Sequence, residues 1–197
     1  MSDPATVPAD AAWVVIETPL LPGDLAAFCR DIERLYRINP YLEFRHWRRI
    51  APGAFAVAFR NLSNQRELEL RLTLEPAAKD DFTVRYERGI KRCTRFVIEP
   101  VAAGSRLKIT DEYDAAPGAD TGEVDRSLHA WGVALREYLL RQQRWAWCAP
   151  WRWYMQRVWV PMKPSARRIT FIIFLVTLAE IALLALVMAI YWIEYRL

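Results

Sequence analysis

From Leu42 to Tyr113 the chain alternates between apolar and polar positions. Leu42, Phe44 and His46 share one parity, and Glu43, Arg45 and Trp47 the other. Phe55, Val57 and Phe59 alternate with alanines, and Leu68, Leu70, Leu72 and Leu74 alternate with Glu67, Glu69, Arg71 and Thr73. Phe82, Val84 and Tyr86 continue the theme, followed by Thr94, Phe96 and Ile98, then Leu107, Ile109 and Asp111. A period of two over such runs marks strands with one buried face. Turn residues separate the runs at Pro52-Gly53, 61–65, Gly89 and 103–105. The pattern predicts six short strands in an antiparallel meander with one charged, wet face. A seventh strand, Trp13–Glu17, precedes them.

The period becomes helical twice. Leu25, Phe28, Ile32 and Leu35 predict a short helix after Asp24, a suitable N-cap, and Asn39-Pro40 ends it. After a linker at 117–122, with Asp120 and Thr121 as candidate caps, Leu128, Trp131, Leu135, Tyr138, Leu139 and Trp145 follow helical spacing. They predict a long helix over about 124–147, the cover that the apolar sheet face requires. The fold class is therefore α+β.

Ile169–Ile193 is apolar apart from Glu180, long enough at about 1.5 Å per residue to cross a hydrocarbon core of about 30 Å. Tyr191, Trp192 and Tyr195 suit the far interface. Before the span, Trp145, Trp147, Trp151, Trp153 and Trp159 interleave with Arg152, Arg157, Lys163, Arg167 and Arg168. Indole rings and cations together suit the headgroup region, so these ten residues are the predicted membrane interface. The predicted organisation is a leader over 1–11, a soluble domain over 12–147, a juxtamembrane segment over 148–168, a transmembrane helix over 169–193 and a short tail.

Charge sets the expected orientation. The net charge is +4, but residues 126–168 hold nine Lys/Arg against one acid, whereas residues 1–125 hold 17 basic and 20 acidic residues. The positive-inside rule then places the soluble domain in the cytoplasm, on a bacterial-type inner membrane. The basic segment implies membrane lipids, not nucleic acid, as partner. The N-terminus carries no signal-peptide pattern.

Candidate chemistry is sparse. The three cysteines have no CxxC spacing and there are only two histidines, so neither a metal site nor a cofactor is implied. No nucleophile elbow, phosphate loop or zinc-protease motif occurs. His46 and Asp111 are weak candidates for an acid–base pair, provided the strands bring them together. Glu180 costs about 2.5–3.5 kcal/mol at mid-bilayer. With Thr170, Phe174 and Thr177 on its face, it points to a membrane-protein partner or a homodimer.

The order strand WVVIE, helical DLAAFCRDIERLYRINP, meander LEFRHW to LKITDEYD and helix VDRSLHAWGVALREYLL resembles the START-like (SRPBCC) helix-grip superfamily. That superfamily includes polyketide cyclase/dehydrase-like and coenzyme Q-binding-like proteins. The resemblance covers about residues 12–147; the Trp/Arg segment and the span depart from it. It implies a curved sheet gripping the long helix around a cavity for an apolar ligand. Strand parity then nominates the lining: Phe44, Phe55, Val57 and Phe59; Leu70, Leu72, Val84 and Tyr86; Thr94, Phe96 and Ile109; with Trp131 and Leu135 from the helix. The expected function is membrane-tethered binding or transfer of an apolar small molecule, such as a lipid, quinone or polyprenyl- or hopanoid-like compound. The alternatives are an accessory or assembly subunit of a membrane complex, and a cyclase/aromatase-like enzyme.

Overall fold

The computed structural model describes residues 11–77, 80–113 and 121–196. The chain divides into two units, Met1–Pro161 and Met162–Leu197. In the first, β1 (Ala11–Thr18) leads into two short helices, α1 (Pro22–Cys29) and α2 (Ile32–Arg37). Six strands follow: β2 (Leu42–Ala51), β3 (Ala54–Asn61), β4 (Glu67–Pro76), β5 (Phe82–Tyr86), β6 (Lys91–Val101) and β7 (Gly104–Tyr113). Then come α3 (Thr121–Arg144), α4 (Ala149–Tyr154) and a π-helical turn, Met155–Trp159. The second unit is α5, Pro164–Arg196.

The strands form one sheet in the order β1-β7-β6-β5-β4-β3-β2, each neighbouring pair antiparallel. The alternation explains its two faces. Val57, Leu70, Leu72, Val84, Phe96, Leu107 and Ile109 are buried on the inner face. The outer face carries cross-strand ion pairs such as Arg85–Glu75 at 2.6 Å and Arg106–Glu17 at 2.7 Å.

The tight connection into β7 depends on Gly104. Its φ is +141°, and a Cβ there would stand 2.2 Å from the Thr18 carbonyl oxygen. Helix α3 lies along β1, where Gly132 permits close approach: a Cβ at 132 would stand 2.6 Å from Val14 Cγ2. Trp131 ties α3 to α2 by donating its indole N–H to the Leu35 carbonyl at 3.1 Å. Leu128, Leu135, Tyr138 and Leu139 complete the buried stripe.

Several boundaries differ from the expectation. The first helical run is two helices, because Asp31 caps α2 by accepting from the Arg34 N–H at 3.1 Å. Asp24 is not a cap; it sits in the first turn of α1, where its charge suits the helix dipole. Helix α3 stops at Arg144, so Trp145 leaves the buried stripe and is exposed. Ala11, the last residue of the expected leader, opens β1; leader residues 1–10 and linker residues 117–120, including Asp120, lie outside the described residues, as does the side chain of Thr121.

In the second unit, α5 has 33 residues, and its apolar side chains from Ile169 to Ile193 are exposed. It is the one helix among the described residues long and apolar enough to cross a membrane.

Candidate functional site

The interior between sheet and helices is aromatic. Phe96 stacks on Phe82 at 4.5 Å and meets the Trp131 ring edge-on at 5.9 Å. Trp131 meets Tyr36 of α2 at 5.1 Å. From β2, Trp47 joins this set, with ring centres 6.1 Å from Tyr36, 5.2 Å from Phe44 and 5.5 Å from Phe55. Burial varies along the inner face: Trp47, Phe55, Leu74 and Tyr86 are half-buried and pack against the core, whereas Val57, Leu70 and Leu72 beside them are buried. The residues nominated as lining all lie in this interior, where they belong to the packed core or pack against it, and Thr94 is buried among them.

A polar chain runs through the apolar wall. Asp111, with no exposed surface, pairs with the Lys91 ammonium at the start of β6, whose side chain is 23% exposed. Thr94 donates its hydroxyl to Asp111 Oδ1 at 2.5 Å. Tyr86 Oη lies 2.9 Å from the Thr94 hydroxyl, and Tyr36 Oη lies 2.7 Å from Tyr86 Oη. A carboxylate paired with an ammonium only accepts hydrogen bonds, and a hydroxyl has one proton. Thr94 spends its proton on Asp111, so Tyr86 donates to Thr94, and Tyr36 donates to Tyr86. The proton order is thus fixed along the chain. Burial pushes both phenols above their ordinary range, so they hold their protons at neutral pH.

Among the described residues two buried donors have no hydrogen-bond partner, the indole N–H groups of Trp47 and Trp151. Strand parity puts Trp47 on the wet face and His46 inward; the structure reverses both. The β2–β3 register shifts between Phe44 and His46, which turns Trp47 inward and His46 outward. His46 is 53% exposed, 3.9 Å from Glu69 on the outer face. It therefore does not meet Asp111, and the acid–base pair does not form. Nor do the buried thiols supply a nucleophile. Burial pushes Cys29 up to about 12, and burial with a hydrogen bond to Glu112 raises Cys93.

Sequence reasoning missed Tyr36, Trp47 and Lys91. The spacing of Phe44 and Trp47 was the available signal, because two large rings three residues apart in an alternating strand require a bulge to share a face. Lys91 and Tyr36 gave no such signal.

The Trp/Arg segment divides. Trp159 stacks on Tyr138 at 5.6 Å, and Trp151 and Tyr154 pack against the core beside buried Met155 and Val160. Trp151 and Trp159 are therefore domain packing and not free interface rings, a correction forced by the register of α4 and the π-turn. Trp147 and Trp153 are exposed, at 78% and 63%, near exposed Arg152 and Arg157. Trp145 is also exposed. Lys163 precedes α5, and Arg167 and Arg168 lie in its first turns. Glu180 is on the exposed surface of α5.

A separate groove of about 270 Å³ lies among Asp31, Glu33, Arg34, Arg37, Gln156, Val160 and Pro161. Within it Arg37 pairs with Glu33 at 2.7 Å, and Arg34 donates to Tyr138 Oη. That wall is polar and does not suit an apolar molecule.

No protein-family model and no curated protein matches the sequence. Solved structures do match the fold. A START superfamily protein from Mycobacterium smegmatis aligns with TM-score 0.55 at 13% identity, covering 66% of this chain and 97% of that one. A protein of Thermus thermophilus aligns with TM-score 0.51 at 14% identity, covering 67% and 97%. The Zhui aromatase/cyclase from a Streptomyces species aligns with TM-score 0.50 at 12% identity, covering 71% and 95%. The seven-stranded antiparallel sheet closed by a long C-terminal helix is the START-like helix-grip fold, here followed by an apolar helix of membrane-spanning length.

Proposed function

We propose that this protein binds an apolar small molecule drawn from the bilayer in the interior of its helix-grip domain, while α5 tethers it to a cytoplasmic membrane. The observation that carries the reading is the inner-face set of half-buried apolar and aromatic residues, Trp47, Phe55, Leu74 and Tyr86, beside a proton-ordered polar chain. An apolar wall with a few convergent polar groups is how small-molecule sites are built. The structural likeness to a START superfamily protein supports it. Tethering raises the effective concentration of domain and membrane solute without a new contact.

Mass spectrometry of organic extracts from the purified full-length protein tests this. One dominant apolar compound near one per chain is expected. Leu74→Trp should expel it at a stability cost within the ~1–3 kcal/mol of overpacking. Glu69→Trp, on the outer face, should retain it. Extracts with the composition of bulk lipid would reject the reading.

The orientation is proposed with it. Arg152, Arg157, Lys163, Arg167 and Arg168 cluster before α5's apolar stretch, the side that the positive-inside rule places in the cytoplasm. A reporter fused after Leu197 should be active only on the far side of the membrane; cytoplasmic activity would reverse the topology.

Glu180 favours a second reading, an accessory subunit whose α5 docks on a membrane protein or on its own copy. Glu180→Leu should then release a partner that copurifies with the unmodified chain.

A further inference from the structure

We infer that the groove between α2 and the π-turn binds the headgroup of a zwitterionic membrane phospholipid, a phosphate joined to a primary ammonium. The groove is separate from the apolar interior, so the two readings stand or fall independently.

Arg34 is the phosphate-binding group. Its guanidinium lies over the Phe28 ring at 5.0 Å and the Tyr138 ring at 5.2 Å. Nε and Nη2 both donate to Tyr138 Oη, at 3.0 and 2.5 Å. Two rings and a phenol therefore hold the plane of the cation. A guanidinium has five N–H groups, and these contacts use two of them without supplying negative charge. Among the described residues no carboxylate stands within ion-pair distance of Arg34. Its neighbour Arg37 differs, being neutralised by Glu33 at 2.7 Å. Arg34 also forms part of the wall of the 270 Å³ groove. A planar guanidinium held in place matches phosphate oxygens in bidentate fashion.

Asp31, on the same wall, supplies the second charge. Its exposed carboxylate accepts from the Arg34 backbone N–H and, among the described residues, has no cation within ion-pair distance. One uncompensated cation and one uncompensated anion in a single groove suit a ligand that carries both. A bare anion would be repelled by Asp31. Gln156 brings an amide from the π-turn. The volume of about 270 Å³ decides how much of the ligand enters. It falls below the ~300–1,000 Å³ of pockets that enclose a drug-sized molecule, so the groove takes a headgroup and leaves acyl chains outside.

Chain length and surface composition point to the membrane as the source. Pro161 belongs to the groove, and the apolar stretch of α5 begins eight residues later at Ile169. At ~3.6 Å per residue that connection reaches no more than about 29 Å. Exposed Trp153, Arg152 and Arg157 precede and follow Gln156 along the chain, a pairing of indole and cations suited to the headgroup layer.

The probes are glycerophosphoethanolamine, glycerophosphoglycerol and inorganic phosphate. Each is titrated into the full-length protein in maltoside micelles and followed by its phosphorus NMR linewidth. Glycerophosphoethanolamine is expected to bind about twofold to fivefold more tightly than glycerophosphoglycerol, the worth of one exposed ion pair, and inorganic phosphate more weakly than the first. Dihexanoyl phosphatidylethanolamine should displace glycerophosphoethanolamine and restore its narrow line. Arg34→Gln should weaken all three probes at least about tenfold, the worth of hydrogen bonds to a charged group. Asp31→Asn keeps an equally good helix cap and should bring glycerophosphoethanolamine to the level of glycerophosphoglycerol. The comparison of probes on the unmodified protein requires no variant to fold. Equal binding of the two glycerophosphodiesters there would overturn the zwitterion assignment. Inorganic phosphate binding as tightly as glycerophosphoethanolamine, or a short-chain lipid that displaces nothing, would overturn the lipid source. Broadening that survives Arg34→Gln, or that no probe shows, would overturn the site.

Discussion

Asp111→Ala should destabilise the domain by about 3–5 kcal/mol, the largest loss expected from any single polar side chain here. The carboxylate has no exposed surface and stands between the Lys91 ammonium and the Thr94 hydroxyl. Removing one partner of a buried pair leaves the other charge uncompensated, and that penalty dominates. Thr94 also loses its acceptor, so the proton order through Tyr86 and Tyr36 no longer has a fixed sense. Lys91 keeps some contact with water, which places the expected loss towards the lower end. Asp111→Asn should cost less, because the amide oxygen still accepts from Thr94. The double change Lys91→Met with Asp111→Leu should recover most of the loss, since apolar replacement of a whole buried pair is often neutral. Urea unfolding of the three variants measures this. A loss below about 1 kcal/mol in Asp111→Ala would mean that the carboxylate is hydrated, and the polar chain would lose its anchor.

The legible and illegible parts of the molecule divide along physical lines. Strand number, pairing and inner face followed from alternation, because a period of two is both the cause of a one-sided sheet and its visible trace. Leu68–Leu74 against Glu67–Thr73 left no freedom of register. The bulge in β2 was not legible that way. An inserted residue keeps the alternation on either side of it and exchanges the faces between them, so His46 and Trp47 came out reversed. Helix α3 was visible through its stripe, but Trp145 has the right spacing and lies beyond the helix end. The Trp/Arg segment misled for a different reason. Composition reports what a ring is suited to, not which neighbour is nearest, and Trp159 stacks on Tyr138. The polar chain depended on residues from α2, β5, β6 and β7, so no local pattern could reveal it.

The fixed protons of the interior should also make the domain fail steeply in alkali. Burial raises Cys29 to about 12, from an ordinary value of 9.0. Burial, with the hydrogen bond to Glu112, raises Cys93. Burial raises Tyr36 and Tyr86 above an ordinary value of 10.0. In each case the folded chain keeps a proton that the unfolded chain gives up. Above about pH 9 the unfolded state therefore binds fewer protons, and stability falls as pH rises. The stabilisation is complete below that point and is lost progressively as pH climbs through the raised values. Each group adds a slope of about 1.4 kcal/mol per pH unit. The thiols act first, and the phenols join them above about pH 10. A domain stabilised by ~5–15 kcal/mol should then unfold cooperatively near pH 11. Cys29→Ala should flatten the first part of the decline. Tyr36→Phe and Tyr86→Phe should each remove about one proton from the later slope. The measurement is the urea midpoint at half-unit steps from about pH 8 to 11. A slope above about pH 10 that neither phenylalanine variant changes would mean that the phenols ionise alike in both states. Water would then already reach Tyr36 and Tyr86, and the interior could not hold an apolar molecule by excluding it.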